Sequence, residues 1–125
     1  TFGGNPLSAA VATEALKVIL DERLIENAYN LGKIFRDKLQ KFTKNSDLVK
    51  LVRGKGLLNA IVINDTPKSD TAWNICLKLR DNGLLAKPTH GNIIRFAPPL
   101  VITEKQLNEC ISIIIDTLRS LEINT

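Results

Sequence analysis

The chain has 125 residues, of which 44% are hydrophobic and 24% charged, and its net charge is +4. This length and composition are typical of one globular domain with one core. No apolar run approaches the roughly 18 residues of a membrane-spanning helix, and no block of about five like charges marks a nucleic-acid surface. We therefore expect neither a membrane nor a nucleic acid as a partner.

Methionine is absent from the sequence, which begins with Thr1. Because a translated chain starts with methionine, we expect this chain to be processed or to be a piece of a larger protein. Any targeting segment would then lie upstream of Thr1, so the sequence does not give the compartment. The expectation is cytoplasmic, with the mitochondrial matrix as the alternative.

The first third of the chain is predicted to be helical. Asn5 suits an N-cap, and Pro6 has the fixed φ that the first turn of a helix needs. The segment that follows is apolar nearly all round, which indicates a well-buried helix, and Asp21 with Glu22 suggests a break. A second helix then carries one apolar stripe: Leu24, Ala28, Leu31, Phe35, Leu39 and Phe42.

The middle of the chain is predicted to contain a hairpin and a third helix. Residues 48–52 and 57–63 are typical of strands, joined by the R-G-K-G stretch at 53–56. The second strand is apolar on both faces apart from Asn59, which predicts a central position in a sheet. The helix has Ser69 or Asp70 as its cap, and Asn82 with Gly83 forms its predicted stop, with Gly83 at the left-handed C′ position. Its predicted buried side is Ala72, Ile75, Cys76 and Leu79.

The last third adds two short strands, 84–87 and 93–96, and a final helix. Thr103 with Gln106 forms a capping box at the start of that helix. The predicted order is α-α-β-β-α-β-β-α, which gives an α+β domain. Its sheet is small and mostly antiparallel, with the helices packed on one side.

Arg95 is the residue that composition and spacing single out, because it interrupts the apolar strand I-I-R-F. Ile94 and Phe96 should share one face of that strand, and Ile93 and Arg95 the other. A guanidinium held there presents a planar fork suited to a carboxylate or a phosphate. Alternatively, its head reaches solvent or pairs with an internal acid such as Asp81. The spacing leaves both interpretations open.

The other candidate groups are weaker. Lys87, in the stretch L-L-A-K-P, would suit a Schiff base only if it were desolvated, and a strand-edge lysine is the favoured interpretation. His90 is typical of a hairpin turn, and no metal site is predicted. The two cysteines, Cys76 and Cys110, fit small buried residues that stay reduced. The lead from Thr1 into the first helix is a weak phosphate-binding pattern.

Three stretches of the chain resemble the class III pyridoxal-phosphate-dependent aminotransferases. They are T-F-G-G-N-P-L at 1–7, V-R-G-K-G-L-L-N-A-I-V-I at 52–63, and G-L-L-A-K-P-T-H-G-N-I-I-R-F-A-P-P-L-V-I at 83–102. The last stretch is closest to the ornithine aminotransferase branch of the class. The resemblance covers essentially all of the chain. It implies the C-terminal small domain of a fold-type I enzyme at 21–125, preceded by a helix from the large domain at 1–20.

The same resemblance implies roles for two residues. In this class the arginine of I-I-R-F binds the substrate carboxylate, which makes Arg95 substrate-binding here. The threonine of T-F-G-G-N-P reaches the cofactor phosphate of the other subunit, which makes Thr1 a pyridoxal 5'-phosphate ligand in a homodimer. Gly3, Gly4 and Asn5 would shape the same loop.

The Schiff-base lysine of the class precedes the T-F-G-G-N-P stretch, so the resemblance implies no catalytic residue in this chain and no activity for it alone. The parent enzyme would move the δ-amino group of ornithine to 2-oxoglutarate, giving glutamate-5-semialdehyde and glutamate. The alternatives are an acetylornithine or 4-aminobutyrate aminotransferase of the same class, or a non-catalytic module that binds a carboxylate.

Overall fold

The computed structural model describes residues 3–122, which contain four helices and four strands in the predicted order. The helices are α1 (Pro6–Asp21), α2 (Leu24–Thr43), α3 (Thr71–Asp81) and α4 (Glu104–Glu122). The strands are β1 (Val49–Lys55), β2 (Leu58–Ile63), β3 (Lys87–Thr89) and β4 (Ile93–Phe96). The α+β prediction is confirmed.

The sheet has the strand order β1-β2-β4-β3, and each neighbouring pair is antiparallel. The predicted central position of β2 is therefore confirmed. Residues 61, 63, 94 and 96 point to one face, where Ile63 and Ile94 are completely buried. Helices α2, α3 and α4 pack on that face, as predicted. The opposite face, which we call the open face, carries exposed Leu51, Arg53, Lys87 and Arg95.

Two strand boundaries differ from the prediction. β1 continues to Lys55, so the first turn lies at Gly56 and Leu57 rather than over 53–56, and Gly56 takes the positive φ of 54°. The third strand spans 87–89 instead of 84–87. Leu84 follows the left-handed Gly83 and is buried in the core, so the chain meets β4 only at Lys87.

The helix α1 begins where the sequence predicts but is not buried. The Asn5 carboxamide accepts a hydrogen bond from the Ser8 backbone N–H at 2.9 Å, and Pro6 occupies the first turn. None of the α1 residues is buried, and Leu7 is 76% exposed. The expectation of a well-buried helix is therefore wrong for this chain, because α1 packs against α2 and not against the sheet.

The start of the final helix, α4, confirms the predicted capping box. The Thr103 backbone N–H donates to the Gln106 side chain at 3.0 Å, and the Gln106 N–H donates to the Thr103 hydroxyl at 3.3 Å. The buried stripe of α4 contains Leu107, Ile111 and Ile114. Because each such side chain contributes about 1.5–3 kcal/mol on burial, α4 is a main part of the core that supports the sheet.

Candidate functional site

Arg95 lies on the open face of β4, as the alternation of the strand predicts. Its neighbours in the chain, Ile94 and Phe96, are 0% and 6% exposed and fill the core on the other face. Phe96 also packs against Phe35 of α2, with ring centroids 5.6 Å apart. Since a strand turns successive side chains to opposite faces, this packing holds the guanidinium out of the core.

Arg95 makes neither a hydrogen bond nor an ion pair through its side chain within residues 3–122. The alternative partner, Asp81, instead accepts two hydrogen bonds from Arg80, at 2.9 and 2.7 Å. Arg95 therefore does not pair with Asp81, because Asp81 is the last residue of α3 and forms its ion pair with Arg80. The guanidinium fork remains open to solvent and to an anion.

The strand register aligns three cations across the open face. Arg95 is opposite Lys87 on one side and Ala60 on the other, and Ala60 is opposite Arg53. The resulting row contains Arg53, Ala60, Arg95 and Lys87, one residue from each strand. Neighbouring strands lie about 4.8 Å apart, so Lys87 is one strand from Arg95 and Arg53 is two.

A shallow recess of about 260 Å³ surrounds Arg95 at one edge of the sheet. It is lined by Leu85, Ala86, Lys87, Arg95 and Ala97. Two cations and a small apolar surface therefore face the same space, while Arg53 lies outside it. This combination suits a small organic anion with an aliphatic chain.

The position of His90 fits the hairpin interpretation. It lies at the exposed tip between β3 and β4 with a φ of 52°, next to Gly91 with a φ of 78°. A Cβ on Gly91 would lie 1.8 Å from the Pro67 carbonyl oxygen, so glycine is required there. The Asn92 side chain also donates to the Asp65 carbonyl oxygen at 3.1 Å. These contacts fix the hairpin that carries Lys87 and Arg95.

The cofactor candidate Thr1 lies outside the described residues. Three residues further along the chain, Gly4 has a φ of 78°, and the Asn5 side chain then caps α1. The capping hydrogen bond uses the Ser8 N–H, one of the donors of the first turn. The role of Thr1 as a cofactor ligand stays a prediction.

A buried polar cluster was missed by the sequence reasoning. Asn59 is 2% exposed and accepts a hydrogen bond from Arg36 of α2 at 2.8 Å. Arg36 and Asn59 both donate to the Gly56 carbonyl oxygen, at 3.0 and 3.1 Å. Gly32 of α2 lies against the same carbonyl. The signal was Asn59 itself, the one polar residue in an apolar strand, because a buried amide needs partners.

A larger recess of about 470 Å³ is lined by residues that include Asp47, Asp65 and Glu122. Its polar groups already bind one another. Glu122 accepts from Ser46, and Asp65 accepts from Thr71 and from the Thr66 N–H. The Thr71 and Thr66 hydrogen bonds hold the pKa of Asp65 below its ordinary value. We interpret this recess as structural, despite its size.

Both cysteines are free thiols in the structure, and burial raises the pKa of Cys76 to about 11. Burial, together with the charge of Glu109, also raises the pKa of Cys110. Raised thiol pKa values indicate unreactive cysteines. Residues 3–122 bring together no group of three His, Cys, Asp or Glu side chains that would hold a metal ion. None of the described helices is long and apolar enough to cross a bilayer.

Residues 1–118 match the family model for aminotransferase class III. The chain belongs to the class III aminotransferases. It is 58% identical over 121 residues to the mitochondrial ornithine aminotransferase of Drosophila melanogaster, a match that covers 97% of this chain. The same match covers 27% of that relative, so the chain spans about a quarter of its length.

Two solved structures show the same fold in this class. Acetylornithine aminotransferase from Elizabethkingia anophelis has a TM-score of 0.93 and 63% identity, over 96% of this chain and 30% of that one. Ornithine aminotransferase from Toxoplasma gondii, described with partial occupancy of pyridoxal phosphate at its active site, has a TM-score of 0.91 and 43% identity. That match covers 99% of this chain and 29% of the Toxoplasma chain.

Class III aminotransferases use pyridoxal phosphate, and the recess at Arg95 can be compared with what that cofactor needs. The cofactor needs a lysine for its aldehyde and an acid beside its pyridine nitrogen. The recess at Arg95 is open, and its lining contains Lys87 but no carboxylate. The recess at Arg95 therefore does not fit the cofactor ring.

Proposed function

We propose that this chain is the C-terminal part of an ornithine aminotransferase. The parent enzyme would transfer the δ-amino group of ornithine to 2-oxoglutarate, giving glutamate-5-semialdehyde and glutamate. The single observation that carries the proposal is Arg95, whose guanidinium has no partner among residues 3–122 and lines a recess on the open face. The 58% identity to the Drosophila ornithine aminotransferase supports the choice of substrate.

In this proposal, Arg95 binds and orients a substrate carboxylate. Its fork gives two parallel N–H···O bonds to the two carboxylate oxygens, which fixes both the position and the rotation of the substrate. Ile94 and Phe96, buried behind the strand, keep the fork from turning inward. The reacting carbon is thereby placed in one orientation before any bond changes, and such positioning lowers the barrier.

The remaining parts of the site would come from outside residues 3–122. The cofactor would bind to the large domain, to Thr1 and to a second subunit in a homodimer. The proposed division, with a helix at 1–20 leading into a small domain at 21–125, is supported by an α1 that packs against α2 rather than against the described sheet. The exposed apolar side chains of α1 would be covered in the assembled enzyme. The name of the Drosophila relative supports the mitochondrial alternative over a cytoplasmic location.

A second candidate is an acetylornithine aminotransferase, which the 63% identity to the Elizabethkingia enzyme favours. The two activities differ in the amino donor and share 2-oxoglutarate as the acceptor. The open face and Arg95 would serve the carboxylate of either reaction.

The deciding experiment compares amino donors on the full-length enzyme that contains this chain. Ornithine, N-acetylornithine and 4-aminobutyrate are each supplied with 2-oxoglutarate and pyridoxal phosphate, and glutamate formation is measured. We expect the highest kcat/KM for ornithine, by at least about 10-fold, because leaving one buried polar group unpaired costs about 1–3 kcal/mol. A preference for N-acetylornithine would establish the second candidate instead. The 125-residue chain alone should form no glutamate.

A further inference from the structure

We propose that Lys87 is a second substrate-binding cation, which shares one carboxylate of the acceptor with Arg95. The inference rests on the proposed function and assigns a specificity role to a lysine that the family resemblance leaves without one. Lys87 would favour the dianionic acceptor, 2-oxoglutarate, over the cationic donor at this recess.

The register between β3 and β4 places Lys87 beside Arg95. Lys87 of β3 is directly opposite Arg95 of β4. Directly opposed residues of antiparallel strands have Cα atoms about 4.5–5.5 Å apart and side chains on the same face. Both side chains line the 260 Å³ recess. The two heads therefore reach the same volume, close enough to contact one carboxylate together.

The placement of Lys87 is also fixed by its neighbours. Pro88 follows it on the edge strand, where a residue without an N–H donor is tolerated. The hairpin beyond is held by Gly91, which lies against Pro67, and by Asn92, which donates to Asp65. A lysine at this position is therefore carried by a fixed backbone rather than by a free loop.

The electrostatics favour an anion at this point. Like charges directly opposite each other on neighbouring strands destabilise a sheet. The four ion pairs among the described residues use other cations, namely Lys17, Arg23, Arg80 and Arg119. Lys87 and Arg95 thus face each other without a carboxylate side chain from residues 3–122. A substrate carboxylate between them would remove the repulsion and accept bonds from both.

The charges of the two substrates determine which of them binds more favourably beside Lys87 and Arg95. At neutral pH 2-oxoglutarate carries two negative charges, whereas ornithine carries two ammonium groups and one carboxylate. A recess with two cations attracts the first and repels the ammonium groups of the second. Leu85, Ala86 and Ala97 give the aliphatic chain of the acceptor an apolar surface. Lys87 should therefore act on the acceptor half of the reaction.

The test measures steady-state kinetics of the full-length enzyme with Lys87→Gln, Lys87→Arg and a matched control, Arg53→Gln. Arg53 is an exposed cation of the same row on the same face, but it lies two strands from Arg95 and outside the recess. Lys87→Gln should raise KM for 2-oxoglutarate about 10-fold, the low end of the loss of one hydrogen bond to a charged group, because Lys87 is exposed. Its kcat should stay within about 2-fold, and KM for ornithine should not rise. Lys87→Arg should restore most of the affinity, and Arg53→Gln should change KM less than about 2-fold.

The inference is wrong if Lys87→Gln leaves KM for 2-oxoglutarate unchanged, or if Arg53→Gln raises it equally, which would indicate a general surface field. In either case, loss of activity in Arg95→Gln would leave the proposed function standing. If the enzyme does not use ornithine at all, the proposed function fails, and titration calorimetry with glutarate then decides the inference. Lys87→Gln must weaken glutarate binding, while an unchanged Kd would overturn the role of Lys87.

Discussion

Individual residues of this domain are strongly constrained where α2 meets the first hairpin. Gly32 of α2 lies so close to the turn that an added Cβ would be 1.8 Å from the Gly56 carbonyl oxygen. The same oxygen accepts hydrogen bonds from Arg36 and Asn59. The close approach of the helix and the buried amide therefore involve the same carbonyl oxygen, and Asn59 lies one residue before Ala60, the β2 partner of Arg95.

A Gly32→Ala substitution tests this constraint. The overlap is with backbone, which has no rotamer to relax into, so the free energy of unfolding should fall by about 2–3 kcal/mol. Urea unfolding followed by circular dichroism gives the measurement. Gly3→Ala is the matched control, since a Cβ at Gly3 would meet nothing within 4 Å, and it should change stability by less than about 0.5 kcal/mol. Equal stability of the two variants would contradict the described helix-to-turn contact.

At the scale of elements, periodicity and end signals predicted all eight helices and strands of the described residues. The capping box at Thr103, the stop at Gly83 and the apolar strand β2 each gave the correct element. The errors lie where tertiary contacts decide the outcome. The third strand shifted from 84–87 to 87–89 because Leu84 is drawn into the core. The environment of α1 was missed because an apolar helix surface does not specify what covers it.

The exposed side of α1 gives a prediction of its own. Leu7, Val11 and Val18 follow the i, i+4, i+11 spacing of one helix face and are 76%, 61% and 39% exposed, which forms an apolar patch along the helix. Such patches favour association in water. The 125-residue chain should therefore self-associate in sedimentation velocity at concentrations where Val11→Glu sediments as a monomer.

The control for this experiment is Thr13→Glu, which adds the same charge to α1 without removing an apolar side chain. It should associate nearly as strongly as the unmodified chain. A monomeric unmodified chain, or equal dissociation by the two variants, would show that the apolar surface of α1 does not drive association.

At the scale of the whole molecule, the sequence determined the fold and the family more fully than the site. Alternation of the I-I-R-F strand predicted Arg95 on the open face. The family resemblance predicted a substrate carboxylate as its ligand. The pairing of Lys87 with Arg95 was not predictable, because a register between two short strands depends on the hairpin tip and its contacts with Pro67 and Asp65. In the proposed function, the remainder of the site would lie outside this chain, which spans about a quarter of the Drosophila relative.

The measurement that tests the account most directly is the 2-oxoglutarate dependence of the full-length enzyme carrying Arg95→Gln, with Arg95→Lys beside it. Loss of a charge-assisted carboxylate contact costs about 2–5 kcal/mol, so kcat/KM for 2-oxoglutarate should fall about 30-fold or more with Arg95→Gln. Arg95→Lys should recover only part of it, because an ammonium lacks the fork. A kcat/KM unchanged by Arg95→Gln, in an enzyme of unchanged thermal stability, would contradict the assignment of Arg95 as the carboxylate-binding residue.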